Sequence, residues 1–112
     1  MRVAIPVENG TLCMHFGHCE RFALIDVDPA TQKILGREDI QAPPHQPGLL
    51  PPWLAERGAT FVIAGGMGQR AVDLFRQQGI EVIVGAPALA PETLVEEYLR
   101  GGLKSGRNVC DH

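Results

Sequence analysis

The chain has 112 residues, 45% of them hydrophobic and 21% charged, with a net charge of −3. That length fits one domain that buries its own core without disulfides. No basic run occurs and the few aromatics are not interleaved with Lys or Arg, so nucleic acid is excluded as an expected partner.

Residues 2–7 read as a first strand, rich in β-branched side chains and closed by the turn signal Glu8-Asn9-Gly10. A Cys/His-rich loop follows. Residues 21–27 read as a second strand and 33–40 as a third, joined by Asp28-Pro29-Ala30-Thr31-Gln32; together the three predict an antiparallel meander. Residues 42–52 hold Pro43, Pro44, Pro47, Pro51 and Pro52 with His45 and Gly48, which predicts a stiff loop. A short helix starts near Gly48 or Leu49 and runs to about Arg57, closed by Gly58.

The pattern then changes. Residues 60–64 form a wholly apolar strand, Gly65-Gly66-Met67-Gly68 a tight turn, and residues 69–78 an amphipathic helix with Ala71, Val72, Leu74 and Phe75 on one face. Residues 80–84 are another buried strand. A last helix begins at Ala90 or Pro91 and ends before Gly101-Gly102. The expected fold is α/β: a single domain over 1–102, with a mixed five-stranded sheet flanked by helices, and a tail over 103–112. Binding sites in such sheets lie beyond the C-terminal ends of the parallel strands, where the loops after Val7 and Ala64 both fall.

The chemistry concentrates in Cys13-Met14-His15-Phe16-Gly17-His18-Cys19, with four metal-type donors in seven residues. Thiolate and imidazole suit Zn, Cu and iron–sulfur centres, and Gly17 lets the chain bend tightly. Cys110-Asp111-His112 repeats the Cys-x-His spacing of Cys13 and His15. Two such arms would close a tetrahedral zinc site, so zinc is an alternative occupant. Taken singly, each Cys reads equally as a small buried hydrophobe, and His45 as an ordinary histidine on a rigid loop. Met14 and Phe16 read as packing or a lid. The second segment, Gly65, Gly66, Met67 and Gly68 before Ala71, sits between a strand and a helix, where backbone N–H groups and the helix dipole suit an anion. No Walker lysine follows, and no acidic residue ends the next strand, so nucleotide binding is not expected. No nucleophile–base pair is legible, although a reactive thiolate at Cys13 or Cys19 stays open as the basis of a small enzyme.

The odd count of three cysteines argues against a closed disulfide framework. No stretch approaches the ~18 apolar residues of a membrane span, and the apolar N-terminal stretch is too short for a signal-peptide core. The expectation is a cytoplasmic protein without a membrane partner.

Val3-Ala4-Ile5-Pro6, His15-Phe16-Gly17-His18-Cys19 with Phe22, and Ile63-Ala64-Gly65-Gly66-Met67-Gly68 with Ala71 together resemble the dinitrogenase iron–molybdenum cofactor biosynthesis proteins. That family includes small nitrogenase accessory cluster carriers. The resemblance covers nearly the whole chain and implies a ribonuclease H-like fold. It also implies a non-catalytic role in binding or carrying a metal–sulfur cluster of Fe–S, Fe–Mo or Mo–Cu type. Carried over by position, His15 is the first ligand candidate, then His18 and Cys19. Cys13 lies outside the general pattern, and the tail with Cys110 and His112 is similar to a subset of stand-alone members. Gly65, Gly66, Met67 and Gly68 would cradle the anionic face of a cluster. The implied partner is a P-loop iron–sulfur carrier ATPase, with the chain a monomer or weak homodimer.

Overall fold

The computed structural model describes residues 1–44 and 46–103. Nine elements follow in chain order: β1 (Arg2–Glu8), β2 (Thr11–Leu12), β3 (Arg21–Asp28), β4 (Lys33–Gln41), α1 (Leu50–Glu56), β5 (Phe61–Ile63), α2 (Gln69–Gln77), β6 (Glu81–Ile83) and α3 (Pro91–Leu99). The sheet runs β4-β3-β1-β5-β6, with β2 paired to β1. β3 is antiparallel to both β1 and β4, whereas β5 is parallel to both β1 and β6. The meander and the parallel pair therefore form one mixed sheet. It has six strands, not the expected five. The extra strand lies within the stretch read as loop: Asn9 and Gly10, at φ 54° and 84°, make a tight hairpin turn that brings Leu12 opposite Val7.

Strand alternation sorts the core onto two faces. Val3, Ile5, Val7, Ala23, Ile25 and Val27 pack with Leu94 and Val95 of α3. Ala4, Phe22, Leu24 and Val62 pack on the other face with Leu54 of α1 and Val72 and Phe75 of α2. Because β1, β3 and β5 are covered on both sides, they read as continuous apolar runs. Proline in the first turn starts both α1 and α3, where a missing N–H costs no helix bond. Among the described residues, no helix is long and apolar enough to cross a membrane.

This topology collects loops at one edge. Residues 9–20, 64–68 and 84–90 all follow parallel strands at their C-terminal ends. The antiparallel turns of the meander bring Ala42 to the same edge, where its N–H donates to the Glu20 carbonyl at 3.0 Å.

Candidate functional site

β5 pairs with β1 only at Val3 and Ala4, and β2 pairs with β1 farther along, at Val7 and Glu8. The chain leaving β2 then crosses the end of β5. There the Gly66 N–H donates to the Met14 carbonyl at 2.8 Å, and the Phe16 N–H donates to the Gly66 carbonyl at 3.1 Å. His15 and Gly66 thus form a parallel bridge. The loop after β6 joins through the Gly85 N–H donating to the Gly65 carbonyl at 2.7 Å, and the Leu12 N–H donates to the Leu89 carbonyl at 3.0 Å. Three loops form one hydrogen-bonded seam. Gly65 permits it: a Cβ there would lie 3.0 Å from Met14 Sδ and 3.1 Å from Met14 Cα.

The seam changes the reading of the glycine turn. Gly65 and Gly66 are buried, and Met67 is core, only 1% exposed. The Gly66 N–H, expected to hold an anion, is taken by Met14. Of Gly65, Gly66, Met67 and Gly68, only Gly68 is exposed, as the N-cap of α2 with no side chain capping that helix. What remains for an anion is the first turn of α2, whose leading N–H groups have no partner within the helix, together with Arg70.

The Cys/His loop is pinned by Phe16. Its ring meets Phe75 at 5.4 Å and Phe22 at 5.8 Å between centroids, while Met14 packs towards the α3 face. Both therefore serve packing, as the sequence suggested. Gly17, at φ 96°, turns the chain directly after this anchor. The four donors consequently divide. Cys19 is half-buried and lines a cavity of about 290 Å³ with Phe16, Ala71 and Leu74, walled by the prolines of residues 43–51 and with Arg70 as its charged side chain. Cys13, His15 and His18 line a different depression beside Glu8, with both imidazoles exposed and Cys13 only 5% exposed. Among the described residues, no three His, Cys, Asp or Glu side chains stand together as a metal site. The self-contained clip suggested by the spacing is therefore not assembled as it stands. His45, Cys110 and His112 lie outside the described residues.

Both thiols resist ionisation. Burial pushes the Cys19 thiol up to about 12, helped by nearby Cys13. Burial also raises Cys13, with the His15 backbone opposing and Glu8 and Glu20 adding to the rise. Such shifts oppose a free nucleophilic thiolate, and a bound metal would have to displace the proton.

Sequence reasoning missed two contributors. Glu8 was legible only as a turn signal, although a hairpin at Asn9-Gly10 necessarily folds it back towards Cys13. Arg70 carries no signal of its own in the sequence, although the second helical position after the N-cap places it in the lining of the cavity.

Comparison with known proteins agrees with this architecture. The family model described as dinitrogenase iron-molybdenum cofactor matches residues 1–101. The chain is 28% identical over 109 residues to MJ0580, an uncharacterized protein of Methanocaldococcus jannaschii, covering 93% of this chain and 90% of that one. The crystal structure of PH0822 is 30% identical, covers 94% of each chain and superposes with a TM-score of 0.84. The apo form of the orange protein from Desulfovibrio gigas, 24% identical, covers 96% of this chain and 93% of its own with a TM-score of 0.71, a likeness of fold.

Proposed function

The chain belongs to the dinitrogenase iron–molybdenum cofactor family, and on that footing we propose that it binds and hands on a metal–sulfur cluster or cluster precursor without itself catalysing a reaction. The observation that carries this reading is the seam: it draws the Cys/His loop, the glycine turn and the start of α2 to one sheet edge. His15 and His18 offer imidazoles from one flank and Cys19 a thiol from the other. Arg70 and the first-turn amides of α2 attract the negative charge that iron–sulfur, iron–molybdenum and molybdenum–copper sulfides carry. An open, incompletely liganded edge suits a carrier, which must release its cargo.

The same reading has the protein working in the cytoplasm, as a monomer or weak homodimer, beside a P-loop iron–sulfur carrier ATPase. The strand order and flanking helices support a ribonuclease H-like description of the fold, which by itself implies no nuclease activity.

Anaerobic reconstitution with iron, sulfide and molybdate tests the proposal, read by absorption and elemental analysis. Stoichiometric metal is expected in the natural chain, with most of it lost in His15→Ala/Cys19→Ala. Equal retention by that double variant would sink the assignment.

A further inference from the structure

The cavity beside Cys19 offers more than a thiol. Among the described residues that line it there is no His, Asp or Glu, so its body is not metal-binding chemistry. Its walls are stiff and apolar. The Phe16 ring is held edge-on by Phe22 and Phe75. Four prolines between residues 43 and 51 add surfaces with fixed φ and no N–H to donate. At about 290 Å³, the space is roughly twice the ~150 Å³ of an engineered apolar cavity that takes up benzene. It therefore has room for a compact two-ring or branched hydrocarbon body. Charge enters through Arg70, the one charged side chain in the lining, which is exposed and so brings its guanidinium to the solvent side. Asp73, one helical turn on, is the carboxylate that an i,i+3 pair with Arg70 would use. It accepts instead from Gln69 Nε2 at 2.9 Å. Among the described residues, no salt bridge engages Arg70.

We infer that this cavity binds a small organic carboxylate, with its apolar body against the prolines, Phe16 and Leu74 and its anionic group paired with Arg70. Burying the body removes water from the apolar walls. The guanidinium then gives the carboxylate a directional, charge-assisted pair. The two parts have to act together. An inorganic oxyanion would reach Arg70 but leave the walls wet, and a neutral hydrocarbon would fill the walls but leave Arg70 unpaired. Because the walls are stiff before any ligand arrives, little ordering has to be paid on binding. The inference rests on these walls and on Arg70, not on the cluster reading.

The test is titration of the full chain, free of metal and sulfide, with 2-naphthoate, followed by the probe's fluorescence. One naphthoate per chain is expected. The uncharged 2-naphthamide has the same body and should bind about ten-fold or more weakly, in line with the loss of a charged hydrogen-bonding partner. Arg70→Gln, at an exposed position where the fold is safe, should weaken naphthoate by a similar factor and leave naphthamide as it was. Location is read separately. In the chain carrying Cys13→Ser and Cys110→Ser, naphthoate should slow alkylation of Cys19 by neutral iodoacetamide in proportion to occupancy, since Cys19 lines the cavity. No binding of naphthoate at millimolar concentration overturns the inference. So does equal affinity for acid and amide, an affinity unchanged in Arg70→Gln, or a Cys19 rate that bound naphthoate leaves alone. Displacement of naphthoate by an equal concentration of inorganic sulfate also overturns it, because the site would then be one for oxyanions. Failure of cluster reconstitution leaves this outcome untouched, because the titration contains neither metal nor sulfide.

Discussion

Cys13 and Cys19 are six positions apart and occupy different worlds. The cavity on one side of Cys19 is walled by proline, phenylalanine and leucine with Arg70, and a polar depression with Glu20, Arg21 and Asp39 opens on another. Around Cys13 the neighbours are a carboxylate and two imidazoles at a polar hairpin. What separates them is short: the Phe16 ring wedged against Phe22 and Phe75, then a left-handed turn at Gly17. A dense run of donors in sequence is thus not a cluster in space. One anchored aromatic and one glycine suffice to turn two thiols into different depressions, even though they stay near enough for Cys13 to raise Cys19.

The largest effect expected from this contrast is on thiol reactivity. With Cys19 held up to about 12 by burial, its thiolate fraction at pH 8 is about a thousand-fold below that of an ordinary thiol near 9. In the chain carrying Cys13→Ser and Cys110→Ser, which keeps the burial but loses the Cys13 contribution, alkylation of Cys19 at pH 8 should still be much slower than in the same chain unfolded in urea. It should climb about ten-fold per pH unit while the fold holds, as thiolate reactivity requires. A Cys19 rate equal to that of the unfolded chain would erase the distinction between the flanks.

Much of the framework was readable in advance because it rests on periodicity. The apolar runs of β1, β3, β5 and β6 and the face of α2 carry their own length and phase, and the glycines and prolines that bound them act through local backbone chemistry. The site was only half readable. Which residues are chemical is plain from the run between Cys13 and Cys19. Which of them share a pocket depends on where Phe16 lands, and its ring partners Phe22 and Phe75 lie 6 and 59 positions away. The glycine turn was partly legible for a similar reason. Gly66 and Gly68 before Ala71 carry the spacing of an anion-binding turn, whereas the missing side chain at Gly65 serves the close passage of Met14, a contact across the sheet that no local pattern encodes.

That passage offers the next way to disturb the comparison. Gly65→Ala puts a methyl group 3.1 Å from the Met14 backbone and 3.0 Å from its sulfur. The thioether can turn aside, but the main chain must shift by a few tenths of an ångström. Overpacking of this kind costs about 1–3 kcal/mol, and urea unfolding should register it. Because the seam joins the Cys/His loop to the glycine turn, reconstituted metal should fall along with stability. Metal retained in full would mean that the site is held independently of the seam.

The smallest effect comes from the opposite edge, where Arg2 grips Asp26 through two hydrogen bonds of 2.8 and 3.1 Å. The guanidinium holds the Asp26 carboxyl below its usual range. A depressed carboxylate stabilises the fold above its unfolded pKa, near 3.9, and that contribution is lost as pH falls through the lower folded value. Both side chains are partly solvated, at 29% and 44% exposure, so the pair contributes up to about 1 kcal/mol. Asp26→Asn should lower the melting temperature at pH 7 by a few degrees, on the order expected for a domain of this size, and the two melting curves should converge below about pH 3. Cluster retention should not move, since Arg2 and Asp26 pair at the start of β1, away from the C-terminal edge that carries the seam. A change would show that the edge is tuned through the body of the sheet, and the contrast between the two thiols would then have to be sought in β1 itself, which runs from Arg2 to Glu8 and ends beside Cys13.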